Sequence, residues 1–313
     1  MQSELNHIEW PLLPSRKKIK LRNEVDRFGF TEVLRKRLKL KQTYRPFCTW
    51  VHGWKWWQID NSLQLGYDIS LKNKRIVVSS KYQYDVLKQE GYENIYIGGL
   101  PYLYADFNQV YNRKHGSVLV MLPKAQHYAE LKSGTVDYLK YIADYNCSYD
   151  ITICVFEDDY RRDEMKQALK RFGLKYIVGA SPDDAYSLFR MQALFSQFEY
   201  CVSNTIGSYF VYAAYSGAKI SIFGDYYQSF TNTVANMNKY GEYEYVKPNY
   251  AWLFKDNIYD SVSAKEWAAK EIGADYVMSN SELIHVLGWS PVGQCRGYYN
   301  GLKAIYNRKV YSE

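Results

Sequence analysis

The sequence predicts an α/β protein made of two halves, each built on a mainly parallel sheet, with a cleft between them that is lined by strand ends. Two observations lead to this prediction. Short apolar runs alternate with helical segments from residue 46 to residue 224, which is typical of repeated strand–helix–strand units. A polar stretch at residues 102–115 separates two series of such runs, and we interpret it as a linker. The 313 residues are enough for two domains of ordinary size.

The first half begins with a basic segment that is predicted to be helical before residue 44. Strands are predicted at residues 46–53, 74–80 and 94–101, and a helix at residues 81–89 is closed by Gly91. An aromatic loop that contains Trp54, Trp56 and Trp57 follows the first strand. We place this N-terminal domain at residues 1–112.

The second half contains more predicted strands than the first and is placed at residues 113–290. Its strands are predicted at residues 117–122, 151–156, 174–179, 200–202 and 219–223. Its helices are predicted at residues 134–145, 163–172, 183–197, 208–216 and 264–271. A last helix near residues 298–306 closes the chain, within a C-terminal segment at residues 291–313.

The stretch from Glu199 to Gly224 is the most informative part of the sequence. It reads as a strand, a polar turn, a helix of small residues and a second strand. Open α/β sheets bind phosphate groups at such turns, because free N–H groups and the positive end of the helix dipole meet there. Neither GxxxxGK[ST] nor GxGxxG occurs, which argues against a P-loop kinase and a dinucleotide-binding dehydrogenase. An ordinary turn is the alternative; the candidate phosphate-binding residues are Ser203, Asn204, Thr205, Gly207 and Ser208, with Ser208 as a helix cap.

Charge and composition limit the partners. The formal net charge is +7, and ten basic residues lie between Lys17 and Lys41, interleaved with apolar ones. A basic amphipathic helix there would suit an anionic membrane surface, and a merely solvated helix face is the alternative. Nucleic acid is not expected as a partner, because no DNA- or RNA-binding module accompanies the patch.

Location and redox state are also predicted from the composition. No apolar run approaches 18 residues and no signal-peptide pattern opens the chain. We therefore expect a cytoplasmic protein that can associate peripherally with the inner face of the cell membrane. The five cysteines are scattered and lack a CxxC pair, which favours buried free thiols over disulfides or zinc ligands.

Residues 195–224, FSQFEYCVSNTIGSYFVYAAYSGAKISIFG, resemble the donor-binding segment of GT-B glycosyltransferases. The resemblance implies two Rossmann-like domains that face a cleft, with a nucleotide-sugar held mainly by the C-terminal domain. It also implies an acceptor that enters from the N-terminal domain and a final helix that crosses back. Within the fold, the organisation looks closest to bacterial capsule and O-antigen enzymes. No metal and no cofactor besides the nucleotide-sugar is expected, because these enzymes generally stabilise the leaving phosphate with helix dipoles and basic groups.

His52 is the candidate general base, because it stands beside Gly53 at a strand end and its ordinary pKa suits deprotonation of a sugar hydroxyl. The N-terminal half is similar to teichoic-acid-type polymerases, which carry a Thr-Trp-His-Gly element. Here Val51 interrupts that element, and the Arg-Asn-Asp that follows their Gly-x-Pro is absent, which argues against a phosphoglycerol donor. A structural hydrogen-bonding histidine is the alternative.

Further candidates follow other predicted strands. Glu157 opens an acidic turn that would bind a ribose hydroxyl or serve as a base, and capping of the next helix by carboxylates is the alternative. GT-B sialyltransferases carry paired acids followed by Gly and a His-Pro pair, neither of which is present. Lys124 and His127 are candidates for phosphate contact. Asp225 and Tyr226 would face the donor sugar or the acceptor.

The expected function is therefore that of a metal-independent glycosyltransferase that acts on a surface polysaccharide or a lipid-linked acceptor. Two alternatives stay open. A nucleotide-sugar epimerase of the same fold, such as a UDP-N-acetylglucosamine 2-epimerase, would need several carboxylates in the cleft. A non-catalytic binding or scaffold protein would keep the fold alone. The sequence does not distinguish the donor nucleotide, the sugar, the acceptor or the linkage.

Overall fold

The structure is a computed structural model that describes residues 13–66, 72–105, 110–123, 133–145, 148–228, 242–295 and 297–299. The protein is mixed α/β, as predicted, and the described strands form one three-stranded and one six-stranded parallel sheet. The strands are β1 (Cys48–Trp50), β2 (Arg75–Val78), β3 (Ile95–Ile97), β4 (Lys114–Met121), β5 (Asp150–Val155), β6 (Tyr176–Val178), β7 (Phe198–Ser203), β8 (Lys219–Phe223) and β9 (Phe254–Lys255).

The helices lie mostly where the sequence predicts them. They are α1 (Phe30–Arg37), α2 (Lys81–Gln89), α3 (Ser133–Asp144), α4 (Glu157–Tyr160), α5 (Asp163–Arg171), α6 (Ser187–Gln197), α7 (Ser208–Tyr215), α8 (Glu242–Asn249), α9 (Lys265–Ile272) and α10 (Asn280–Leu287). The bounds of α2, α5, α7 and α9 agree with the prediction to within one residue. The predicted closing helix near residues 298–306 lies almost entirely outside the described residues.

The six-stranded sheet has the strand order β6-β5-β4-β7-β8-β9. The chain runs outward from β4 to β6 and then returns to the other side of β4, where β7 starts the second half of the sheet. The order therefore reverses between β4 and β7. In doubly wound sheets, the crevice outside the carboxyl ends of two such strands is the usual place for a ligand. The three-stranded sheet has the simple order β1-β2-β3.

Alternate residues of the large sheet pack on its two faces, as the period of two requires. Leu119 and Met121 of β4 belong to a hydrophobic cluster that also contains Trp50 and Val77 of the small sheet. The intervening Val118 and Val120 belong to a second cluster with residues of α3 and α5, among them Leu139 and Met165. One face of the large sheet therefore shares a core with the first half of the chain.

The basic segment, predicted to be helical before residue 44, is helical only in part: Glu24–Gly29 form a 3-10 helix and Phe30–Arg37 form α1. Residues 13–23 are irregular and run beside the loop that follows β6, where Ile19 N–H donates to the Asp183 carbonyl and Ala185 N–H donates to the Lys17 carbonyl, both at 2.8 Å. The regular helix is α1 alone, and its apolar residues Phe30, Val33 and Leu34 are buried. The apolar side that a membrane-bound amphipathic helix would insert into lipid is therefore part of the core.

The predicted linker at residues 102–115 also differs. Residues 101–105 form a 3-10 turn in which all five residues are buried. The Tyr104 hydroxyl donates to the Gly98 carbonyl at 2.7 Å and accepts from Met278 N–H at 3.0 Å. Tyr102 stacks on Tyr212 of α7, with ring centroids 4.3 Å apart. Tyr102 and Tyr104 are therefore packed into the core, and both hydroxyls are hydrogen-bonded there, that of Tyr102 to Ser216.

Helix α6 begins four residues later than predicted, at Ser187 instead of residue 183. The reason is that Asp184 is used by the N-terminal segment. Its carboxylate accepts from Lys17 N–H at 2.9 Å and pairs with Arg190 at 2.7 Å. Helices α8 and α10 were not individually predicted, and α4 replaces the acidic turn predicted at Glu157.

Two composition-based predictions can be compared with the described residues. None of the helices described is long and apolar enough to cross a membrane. Free thiols are confirmed at Cys48, Cys154 and Cys201, which are buried, whereas Cys295 is exposed and Cys147 lies outside the described residues.

Candidate functional site

A cavity of about 540 Å³ lies at the carboxyl ends of strands from both sheets. Its lining includes His52 and Gly53, which follow β1 of the small sheet. It also includes Met121 at the end of β4 and Thr205 in the turn after β7. The cavity therefore lies where the strand order of the large sheet reverses, and its volume is within the usual range for small-molecule sites.

The turn between β7 and α7 is stabilised by its own side chains. Ser203 is fully buried, and its Oγ accepts from Thr205 N–H at 3.3 Å. The Tyr209 hydroxyl lies 3.0 Å from Ser203 Oγ and donates to the Thr205 carbonyl at 2.7 Å. The Tyr209 ring covers Gly207 so closely that a Cβ there would lie 2.6 Å from a ring carbon. Ser203 is thus a structural residue of the turn, and Gly207 leaves room for the tyrosine.

Asn204 joins this turn to the loop after β8. Its side-chain Nδ2 donates to the backbone carbonyl of Asp225 at 3.1 Å, and its backbone carbonyl accepts from Tyr227 N–H at 2.7 Å. The Asp225 side chain is exposed, and Tyr226 packs on the rings of Tyr243 and Phe254. Asn204, Asp225 and Tyr226 are not among the residues that line the cavity.

Thr205, Gly207 and Ser208 do line the cavity. Thr205 is 2% exposed, and its Oγ1 has no hydrogen-bond partner among the residues that the structure describes. The predicted cap is wrong, because Gly207 is the N-cap of α7 and makes no side-chain cap. Ser208 Oγ instead accepts from Trp54 N–H at 2.8 Å, which fastens the chain after β1 to the N-terminus of α7.

His52 is partly buried in the wall of the cavity, near the ring of Phe28 at a centroid distance of 6.2 Å. Burial lowers the pKa of His52 from 6.5 to about 4, with Lys55 and Arg27 acting in the same direction and Glu24 opposing them. The imidazole is therefore neutral at pH 7 and able to accept a proton. Phe28 itself has a φ of 58°, an uncommon backbone conformation for a bulky residue.

Two cationic residues of the cavity, Lys55 and Arg27, were not singled out as site residues from the sequence. Arg27 is paired with Glu24 at 2.7 Å. Lys55 Nζ lies 5.2 Å from the centroid of the Trp57 ring and has no carboxylate within 4 Å among the described residues. Burial lowers the pKa of Lys55. Its place inside the Trp54–Trp57 aromatic run was the sequence signal that could have identified it.

The aromatic loop after β1 is held rigidly. The Trp54 indole donates to Glu271 Oε2 of α9 at 2.7 Å, and burial raises the pKa of this carboxyl. The Tyr250 hydroxyl donates to the Trp56 carbonyl at 2.7 Å. The Trp54 ring also packs edge-on against Trp267, with centroids 5.3 Å apart. These contacts fix the loop that carries Lys55.

Glu157 does not line the cavity, although its neighbour Phe156 does. It begins α4, where Arg161 lies 2.8 Å and Arg16 3.7 Å from its Oε1. Glu157 makes no cap hydrogen bond among the described residues, but its carboxylate lies in the first turn of α4, where the helix dipole favours negative charge. Lys124 and His127 lie outside the described residues.

Within the described ranges, no group of three or more His, Cys, Asp or Glu side chains could hold a metal ion. No protein-family model matches the sequence, and neither the curated proteins nor the solved structures contain a significant match to it.

Proposed function

We propose that this chain is a glycosyltransferase of GT-B architecture that moves a sugar from a nucleotide-activated donor to a hydroxyl of a surface polysaccharide or glycolipid. One observation carries the proposal. His52, which follows β1 of the small sheet, lines the same cavity as the strand-order reversal of the large sheet and the N-terminus of α7. In this proposal the two sheets belong to the two Rossmann-like domains, and the cavity is the cleft between them.

Each part of the cavity has a role in this reaction. The N-terminus of α7 and Thr205 would bind the donor phosphates. His52, neutral at pH 7, would take the proton from the acceptor hydroxyl as that oxygen attacks the anomeric carbon and the nucleotide leaves with the electrons of its bond. The described lining contains no Asp or Glu, which favours the transferase over an epimerase that needs several carboxylates in the cleft.

The first test is binding. Thermal unfolding is followed with UDP-, CMP-, GDP- and CDP-linked sugars, each at high concentration. A ligand at 100 times its Kd stabilises the folded state by about 2.7 kcal/mol, which raises the Tm by several degrees. A melting point that none of these donors changes would contradict the proposal.

The second test is turnover, measured as release of the free nucleotide in the presence of a hydroxyl acceptor. His52→Gln is expected to lower kcat by about 10²–10⁴-fold with donor affinity retained. His115→Gln is the matched control, because His115 is near the amino end of β4, about 20 Å along the strand from the cavity. Full turnover by His52→Gln would exclude His52 as the base. Donor binding by the wild type without any turnover would favour the scaffold alternative.

A further inference from the structure

Lys55 is a cation in the wall of the cavity whose counter-ion is not among the described residues. Its ammonium group contacts the face of Trp57 and is partly buried. Removing a charge from water costs free energy unless another charge or polar groups compensate for it. A cation–π contact returns only part of that cost. The position therefore favours a ligand that brings negative charge.

The other charges of the cavity point the same way. Its described lining contains Arg27, His52 and Lys55 but no acidic residue. Arg27 is already neutralised by Glu24. Lys55 is therefore the lining cation that is left to attract an anion.

The backbone brings Lys55 to the N-terminus of α7. Its neighbour Trp54 is hydrogen-bonded to Ser208, the first residue of that helix. A helix N-terminus carries a partial positive charge, so the two features attract the same anion. The buried Thr205 Oγ1, which has no partner among the described residues, adds a hydroxyl that can donate to it.

We propose that Lys55 binds the phosphate or diphosphate group of the ligand, together with Thr205 and the N-terminus of α7. The identity of this anion as part of a nucleotide-sugar rests on the proposed function. Lys55 lies in the half of the chain that carries the candidate base, so it would join the donor phosphates to that half.

Binding of the anion has a consequence for His52. In the free protein, burial is the largest cause of the lowered pKa of His52; Lys55 and Arg27 lower this pKa further, and Glu24 raises it. A diphosphate adds negative charge and offsets the effect of Lys55, so the pKa of His52 rises from its value in the free protein. Donor binding would thus turn a weak base into a stronger one.

The experiment measures calorimetric binding of UDP and of inorganic pyrophosphate to the full chain. Lys55→Met is expected to weaken binding about tenfold to a hundredfold, and Lys55→Arg to restore most of the affinity. Lys36→Met is the matched control, because Lys36 also lies over aromatic rings, those of Tyr186 and Phe189, but does not line the cavity. Circular dichroism and thermal melting verify that each variant is folded.

A second readout is the pKa of His52, measured by NMR titration of the imidazole. It is expected to rise when UDP binds to the wild type, and to be higher in free Lys55→Met than in the free wild type. If Lys55 has a structural role only, UDP binding should raise this pKa by the same amount in Lys55→Met as in the wild type.

The outcomes separate this inference from the proposed function. Binding of neither probe to the wild type, or equal affinity of Lys55→Met and wild type, overturns the inference. In the second case the glycosyltransferase proposal still stands. Pyrophosphate binding that needs Lys55, without any binding of UDP or nucleotide-sugars, supports the anion site and overturns the nucleotide-sugar donor.

Discussion

Replacing His52 by glutamine is expected to remove a pH-dependent part of the stability of the folded protein. The pKa of His52 is about 4 in the folded state and 6.5 in the absence of burial. Between these pH values the unfolded chain binds a proton that the folded protein does not, so stability falls as the pH falls. At about 1.4 kcal/mol per pH unit, the loss between pH 7 and pH 4 is about 3 kcal/mol.

The assay is urea unfolding of wild type and His52→Gln at a series of pH values from 7 to 4. Carboxylates also titrate in this range, but they contribute equally to both proteins and cancel in the difference. The packing change caused by the substitution is independent of pH. The wild type should therefore lose about 3 kcal/mol more than the variant. A difference that stays constant across the series would show that the folded protein does not lower the pKa of His52, and the reasoning from its burial would fail.

Three further predictions concern the framework around the cavity. Asp184→Ala leaves the buried guanidinium of Arg190 without its partner and should cost about 3–5 kcal/mol in urea unfolding, against less than about 1 kcal/mol for the exposed Asp163→Ala. Gly29→Ala should destabilise the protein more than Gly66→Ala in the same assay. Both glycines have a left-handed φ, so each substitution costs about 1–2 kcal/mol in backbone strain. At Gly29 the new Cβ would also overlap the carbonyl oxygen of Ala185, whereas at Gly66 it would meet no atom of the described residues. A thiol reagent should label the exposed Cys295 in the native protein, as peptide mapping would show. Labelling of the buried Cys48, Cys154 or Cys201 before unfolding would contradict their packing.

Local signals predicted the regular elements well. Helix α2 begins after Ser80, whose side chain accepts from Gln83 N–H, and such caps can be read from the sequence. Gly273 ends α9 with a φ of 75°, which is the conformation that a glycine after a helix indicates. In the unit from β7 to β8, apolar runs predicted both strands, and the small residues between the polar turn and the second strand predicted α7. These decisions depend on neighbours within a few residues.

The failures occur where distant parts of the chain compete with local propensity. Asp183 and Asp184 resemble the start of a helix, yet their backbone and side-chain groups bind the segment that contains Lys17 and Ile19. Residues 101–105 have a loop-like composition, but their tyrosine hydroxyls find buried partners elsewhere in the chain. No pattern within a short window records such partners. The strand order of the large sheet has the same origin, because it depends on which side of β4 the chain returns to.

The same limit applies to the site. The sequence identified the turn after β7 and His52, and the structure brings both to one cavity. It could not tell which polar residues of the turn would be used internally. Ser203 Oγ and Asn204 Nδ2 are used within the turn and the neighbouring loop. Thr205 Oγ1 and Asn204 Oδ1 both lack a partner among the described residues, but of these two residues Thr205 alone lines the cavity. Residue type indicates hydrogen-bonding capacity, and only the fold decides whether that capacity is already used.

The hydrogen bond between Trp54 N–H and Ser208 Oγ joins the two candidate regions that line the cavity. It joins residues that are 154 positions apart in the chain. One belongs to the loop that carries His52 and Lys55, and the other begins the helix α7, which lines the same cavity. The Trp54 indole is anchored independently on Glu271, so the loop is held from two sides. In the proposed reaction, the base and the phosphate-binding cation would lie on one loop at a fixed separation, and the helix would supply the rest of the anion site. Such preorganisation is what transfer between two bound substrates requires, because small errors in position cost large factors in rate.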